Sequence, residues 1–488
     1  MRGLESVLVL GNSWHSLLVA CSLKKKIANL KVTLSYNELK TNGAVSVRRE
    51  LSSLLSVLEL TQESLLRLCD GTYFLAHHIV DESYGREFYW SVDDYGISDE
   101  VQDFHQLFER FLWPEARYDD FCVTAQLSKY GKVIDLQRHV SAAGAQKKEQ
   151  NYSGLHLNII PFTRLLLRYA TYLGITVVNE VTAPCKEKNE AVKGEALDSA
   201  GARHTADFVI DASYIQEGIS SEPNQEVHDW THYFGNQYAT RLFVANDFNP
   251  NPTSSLVFSS DSLVNAIPLR TGVSYEYLGN KIVLDKFLTQ SPHSAAKKTL
   301  RQNTYGCLCR PWQGRKLALG LAAARPGNLL VSELDLLMQE LALLIGLWPS
   351  VPFQPSLAQE YNRLANTLYC SVRDMHLLGY WLIQGGELSD LQSLPTELRK
   401  EVEVFIASSR LPHRDERYPA TAEWISLLMG LKKWPIHFPP LRLERADNEF
   451  PDFFQSILNK VREIVANAPQ QVAHINDLLR SQNNHAER

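Results

Sequence analysis

Apolar positions in the first forty residues follow two different periods. Val7-Leu8-Val9-Leu10 is a continuous apolar run, Gly11-Asn12-Ser13 interrupts it, residues 14–26 carry apolar positions at helical spacing, and Lys31-Val32-Thr33-Leu34 returns to a short strand-like run. Strand, turn, helix and strand in this compass predict a βαβ unit, and hence a parallel sheet. Further on, 161–173 reads as a helix and Asp207-Phe208-Val209-Ile210-Asp211 as a buried strand ending in an acid. Residues 84–130 are polar, aromatic-rich and weakly periodic, which predicts loops and short helices. Beyond about residue 340, long amphipathic segments punctuated by Pro349, Pro352, Pro355 and Pro395 predict a largely helical region.

Composition narrows the class without naming a function. The chain has 488 residues, 44% hydrophobic and 21% charged, with a net charge of −6. These values exclude a disordered or collagen-like chain and a strongly basic nucleic-acid binder, and the length suits two to four lobes. Seven cysteines (Cys21, Cys69, Cys122, Cys185, Cys307, Cys309 and Cys370) are too few and too odd in number for a disulfide framework, which favours a reducing cytoplasm. The apolar stretch after Glu5 is too short for a secretory core. No apolar run reaches the roughly 18 residues of a membrane span; the best candidate, 329–348, contains Glu333, Asp335 and Glu340. A protein in the cytoplasm, without a membrane or nucleic-acid partner, is the expectation.

A strand that turns into a helix is where dinucleotides are held, because the helix start offers free N–H groups to a diphosphate. The usual spacing is GxGxxG. Here it reads Gly11, Ser13 and Ser16, so only the turn glycine remains, and Trp14 adds bulk. Tyr36 stands where an acid would bind the ribose, and Glu38 lies two positions late. Both a structural βα turn and a working dinucleotide site are compatible with this loop.

Other groupings have ordinary readings. Cys307-Leu308-Cys309 has no second pair at zinc-like spacing, so two plain thiols are favoured and no metal is expected. His77-His78 reads as a strand-edge pair, and Asp93-Asp94 and Asp119-Asp120 as solvated loop carboxylates. Ser213 lacks a GxSxG context. The aromatic run from Phe88 to Phe121 offers either a pocket for a flat substrate or a packed core, with the core favoured. Across 329–344 the leucines form one helical stripe and Glu333 and Glu340 another, which suits a surface helix or a partner contact.

Several segments occur in an order that resembles flavin-dependent tryptophan halogenases: Asp70-Gly71-Thr72-Tyr73-Phe74-Leu75, Phe208 to Ser213, Ile267-Pro268-Leu269, Ala318 to Ala323, Tyr361-Asn362-Arg363, Tyr369, Arg373-Asp374, Tyr380, and Glu423-Trp424 through Gly430. The resemblance covers nearly the whole chain. It implies an α/β fold, with a Rossmann-like FAD-binding lobe of monooxygenase type over 1–345 and a mostly helical lobe over 346–488. The first lobe would combine 1–40 and 150–345, with an inserted mixed β-sheet and a loop and helical insert at about 84–150. Gly11, Ser13, Ser16, Asp211 and Gly320 are the positions that would line a cofactor. Whether FAD is bound through this weakened motif stays open.

Family members use reduced FAD and oxygen to make hypohalous acid, which reaches an indole or similar ring. A lysine and a glutamate are expected to handle the halogenating species. The resemblance puts Phe74 at the lysine, and Leu330 at the glutamate in Arg325-Pro326-Gly327-Asn328-Leu329-Leu330-Val331-Ser332. A phenyl ring cannot form a haloamine, and an isobutyl group cannot act as a base. The family's Trp-x-Trp-x-Ile-Pro corresponds to Leu263-Val264-Asn265-Ala266-Ile267-Pro268, and its Gly-Glu-Ala-Thr motif to Ala44-Val45-Ser46-Val47. Retained positions such as Gly11, Asp211, Pro268, Gly320 and Arg373 suit packing and turns, whereas the replaced ones belong to cofactor or chemistry. A divergent member that has lost halogenation and keeps a binding role is therefore expected. Its partner would be a small aromatic ligand, a protein substrate, a flavin reductase or an active paralogue, and a homodimer is permitted. The alternative is an FAD-dependent monooxygenase or halogenase acting on an aromatic, indole-type substrate.

Overall fold

A computed structural model describes residues 2–39, 41–99, 101–134, 153–178, 194–197, 203–214, 225–235, 237–245, 251–259, 262–290, 300–327, 329–412, 418–438, 443 and 445–486. Cys185 and Asn328 lie outside the described residues.

The expected βαβ unit is present as strand Ser6–Gly11, helix Trp14–Lys26 and strand Lys31–Tyr36. The helix forms because Leu17, Leu18 and Cys21 recur on its inner side with no exposure, while Lys24, Lys25 and Lys26 sit favourably at its negative end. Six strands assemble in the order Trp312–Gln313, Lys316–Ala318, Phe208–Asp211, Ser6–Gly11, Lys31–Tyr36 and Thr176–Val178. All neighbouring pairs are parallel except the Trp312–Gln313 hairpin. Gly11 is registered with Tyr36, and Asp211 with both Leu10 and Ala318. The chain leaves the Ser6–Gly11 strand towards one side and returns on the other, so the carboxyl ends of these strands form a switch-point crevice. Helix Ile159–Tyr172 is started by the Asn158 side chain, which accepts the Ile160 N–H at 3.1 Å, and it buries Ile159, Phe162, Leu166 and Ala170.

The chain divides into two compact units, one comprising 1–71, 157–236 and 302–373, the other 72–156, 237–301 and 374–488. This division differs from a boundary near residue 345, because the second unit draws its sheet from 72–156 and 237–301. That sheet is mixed. Its six longer strands run in the order Tyr238–Ala245, Gly272–Gly279, Ser262–Leu269, Thr253–Phe258, Ala76–Asp81 and Arg86–Trp90, with one parallel pair among them, Thr253–Phe258 beside Ala76–Asp81. The region 84–130 supplies short helices, Phe104–Phe111, Tyr118–Phe121 and Val123–Lys129, and beyond Ser350–Val351 the described regular elements are all helical. Among the described residues no helix is long and apolar enough to cross a membrane.

Three expectations need correction. Helix Glu333–Gly346 is not a surface helix: Leu334, Asp335, Leu336, Leu337, Met338, Glu340, Leu341 and Leu344 are buried, because both acids at its inner side are engaged by hydrogen bonds. His77 and His78 lie on an interior strand, flanked by Thr253–Phe258 and Arg86–Trp90. Asp119 is buried, accepting the Tyr89 N–H at 3.0 Å and pairing with Arg117 at 2.8 Å. That pairing compensates a charge which would otherwise demand water.

Candidate functional site

In the first unit the crevice is built around Gly11. A Cβ there would stand 2.1 Å from the Ser16 Cβ and 3.2 Å from the Ala212 carbonyl oxygen. The turn glycine is thus required for helix and strand to pack, and Ser16 fills the space that a second glycine would have left. The Ser16 hydroxyl donates to the Ser13 carbonyl at 2.9 Å, and the Ser13 Oγ and His15 Nδ1 share a hydrogen bond of 3.0 Å. Trp14 stacks on His15 with centroids 3.7 Å apart. His15 Nε2 lies 3.5 Å from the Glu333 carboxylate. At the strand end Tyr36 is buried, and burial together with the nearby Glu38 pushes its hydroxyl up to about 12. Glu38 itself is exposed beyond the strand. Asp211 accepts the Ser213 N–H at 3.1 Å and lies 3.7 Å from Lys316 Nζ.

The turn that follows strand Lys316–Ala318 needs a left-handed residue, and Gly320 supplies it with φ +60°. Its N–H donates to Glu340 Oε2 at 2.8 Å, while the Tyr369 hydroxyl donates to Glu340 Oε1. Burial lifts the Glu340 carboxyl to about 7, against the pull of these two donors. The sequence pattern placed this acid on a surface stripe because its leucine-rich helix looked amphipathic. Leu330 is buried, as are its neighbours Leu329 and Val331.

In the second unit Phe74 ends the short strand Thr72–Phe74, paired antiparallel with strand Gly154–Asn158. Its ring stacks on His156 at 4.2 Å and meets the edge of His77 at 4.9 Å. His77 stacks in turn on Trp90 at 5.6 Å, and its Nδ1 shares a 2.6 Å hydrogen bond with Ser254 Oγ. All five side chains are buried. A second arrangement went unnoticed in the sequence: Lys432 Nζ is 2.7 Å from Glu109 Oε2, donates to the Trp434 carbonyl at 3.0 Å, and lies 3.9 Å from the Trp113 ring centroid. Burial lowers the Lys432 pKa and Glu109 opposes that shift. The 323-residue separation of the pair leaves no local pattern to read.

The family model for tryptophan halogenases matches residues 6–447. The chain belongs to the tryptophan halogenase family. Similar solved structures include BrvH, a flavin-dependent halogenase from Brevundimonas sp. BAL3, with TM-score 0.85 and 18% identity over 97% of this chain and 99% of that one. Xcc4156, a flavin-dependent halogenase from Xanthomonas campestris, gives 0.82 and 18% over 98% and 99%. A tryptophan halogenase from Shewanella frigidimarina NCIMB 400 gives 0.79 and 16% over 98% of each chain. Comparison with curated proteins found no match.

Tryptophan halogenase membership implies an FAD site at the switch-point crevice. The residues there do not fit a diphosphate. Ser13, Trp14, His15 and Ser16 are at most 5% exposed, and the His15 ring lies against Gly320 and 3.5 Å from the Glu333 carboxylate, which disfavours a phosphate there. Of the five cofactor positions expected from sequence, Gly11, Ser13 and Ser16 come together in one turn. Asp211 and Gly320 end or follow adjacent strands, and both are engaged within the protein. Cys307 is buried, its thiol raised by burial and donating to Asn366 Oδ1 at 3.4 Å, and no metal-holding group of His, Cys, Asp or Glu occurs among the described residues. The aromatic run is packed core: Tyr95 stacks on Tyr118 at 4.9 Å and Phe104 meets Phe121 at 5.2 Å.

Proposed function

We propose that this protein keeps the halogenase fold as a binding scaffold and does not halogenate. The observation that carries the reading is Phe74, which stands at the position of the expected lysine and is packed between His156 and His77. No amine is offered there to an oxidised halogen, and the stacked rings occupy the space such a species would need. Leu330, buried at the glutamate position, supplies neither a base nor an acceptor. A small aromatic ligand or a protein partner, such as an active paralogue, is the class of molecule we expect it to bind. A cytoplasmic setting suits the six described cysteines, none of which is joined to another in a disulfide.

The second reading is an FAD-dependent oxygenase acting on an indole-type ring. It is favoured by Leu263 and Asn265, which replace two bulky tryptophans of the family pattern with smaller side chains. Incubation with FAD, a flavin reductase, oxygen, halide and a panel of indoles, followed by mass spectrometry, separates the readings. No product is expected. A ring-halogenated product overturns the proposal, and a hydroxylated one establishes the second reading.

A further inference from the structure

We infer that the dinucleotide crevice of the Rossmann-like unit is occupied by the chain itself and admits neither FAD nor another adenine dinucleotide. Three sets of contacts close it. At the helix start the Trp14 indole is buried, stacked on His15 and 6.0 Å from Phe162. The His15 ring then reaches across to the opposite turn: its Cδ2 would lie 3.5 Å from a Cβ on Gly320, and its Nε2 is 3.5 Å from Glu333. A carboxylate in that place repels a phosphate, and the imidazole fills the gap between the two turns.

On the adenosine side, the backbone after strand Lys31–Tyr36 folds over the loop. The Asn37 N–H donates to the Gly11 carbonyl at 3.3 Å, and the Leu39 N–H to the Asn12 carbonyl at 2.7 Å. On the other side Asn12 is held at both ends of its amide. Its Nδ2 donates to the Tyr214 carbonyl at 3.0 Å, and its Oδ1 accepts the Tyr214 N–H at 2.8 Å. The loop is therefore clamped from both neighbouring strands. A dinucleotide that displaced this loop would break these bonds, each of which would have to be replaced by one to ligand or water. Among the described residues of this crevice, the His15 Nε2 and the Tyr36 hydroxyl are buried without a hydrogen-bond partner. A tyrosine that served a ribose would be needed for binding; one sealed in by closure would not.

The test uses the purified whole chain. FAD and, separately, ADP are titrated to about 1 mM by calorimetry and thermal shift, with hydrogen exchange followed at residues 11–16. We expect colourless protein, no binding heat, no rise in Tm and unchanged exchange, and Tyr36→Phe should behave identically with and without FAD. Trp14→Thr with His15→Ala should speed exchange of the helix-start amides by about tenfold or more. Stoichiometric FAD, FAD-dependent protection of residues 11–16, or unchanged exchange in the folded double variant overturns the closure. Should the double variant not fold, the wild-type titration decides alone. FAD bound without halogenated product overturns this inference and leaves the proposed function standing; ring-halogenated product overturns the proposed function.

Discussion

The turn around Gly11 and the strand end at Phe74 are held together in opposite chemical ways. At Phe74 the chain has a buried aromatic stack with His156, His77 and Trp90. Around Gly11 polar contacts dominate: Asn12 exchanges two hydrogen bonds with Tyr214, Ser13 shares one with His15, and His15 Nε2 lies 3.5 Å from Glu333. The first arrangement gains stability by packing. The second depends on hydrogen bonds that compete with water. A strand end can thus be fixed by packed rings, and a turn by hydrogen bonds to its neighbours.

The largest expected effect tests the packed side of this contrast. Phe74→Ala should lose about 3–5 kcal/mol in urea denaturation, as for other buried aromatic truncations. Phe74→Lys should lose at least as much, since an ammonium would be placed between buried rings. If the lysine variant is as stable as the wild type, the stack opens to water and the comparison fails.

Next comes the polar side, through Glu340. Its folded pKa is about 7, against 4.5 as the ordinary value, so between these values the folded chain holds more protons than the unfolded one. The Glu340 contribution to stability should therefore be fully present below about 4.5 and be lost as pH rises to about 7, a change of roughly 3 kcal/mol. In Glu340→Gln this component of the slope should vanish, which urea unfolding at several pH values would show. An unchanged slope would mean that Glu340 is not the group responsible.

Gly11→Ala should cost about 1–3 kcal/mol by overpacking against Ser16. Adding Ser16→Gly should recover part of that loss, and the coupling in a double-mutant cycle measures how tightly strand and helix meet. The smallest effect is expected at Asn265, buried with an Oδ1 that has no hydrogen-bond partner. Asn265→Leu should change stability by under about 1 kcal/mol or raise it, because the unmet acceptor disappears. A marked loss would indicate that the oxygen is satisfied in solution.

Much of the fold was legible because its signals are local. The helix Trp14–Lys26 announces itself by spacing and by the break at Gly11, and strand Phe208–Asp211 by a short apolar run ending in an acid. The candidate site was legible only as a set of replacements. What the replacements do was hidden, since His15 meets Glu333 across 318 residues and Lys432 meets Glu109 across 323. Glu340 was misjudged for the same reason: its partners Gly320 and Tyr369 come from other elements, and an acid on a leucine-rich helix looks solvated until they are placed.

By itself, the sequence determined the α/β class, the first βαβ unit, the helical C-terminal region and the identity of the side chains at Phe74 and Leu330, because periodicity, turn residues and motif order are carried by neighbouring positions. The tertiary structure decided which segments form each compact unit, that Glu340 is buried rather than exposed, and that Asn12 beside Gly11 is hydrogen-bonded to Tyr214. Those outcomes depend on contacts between segments far apart in the chain, where burial and hydrogen bonding set the balance and no local pattern records it.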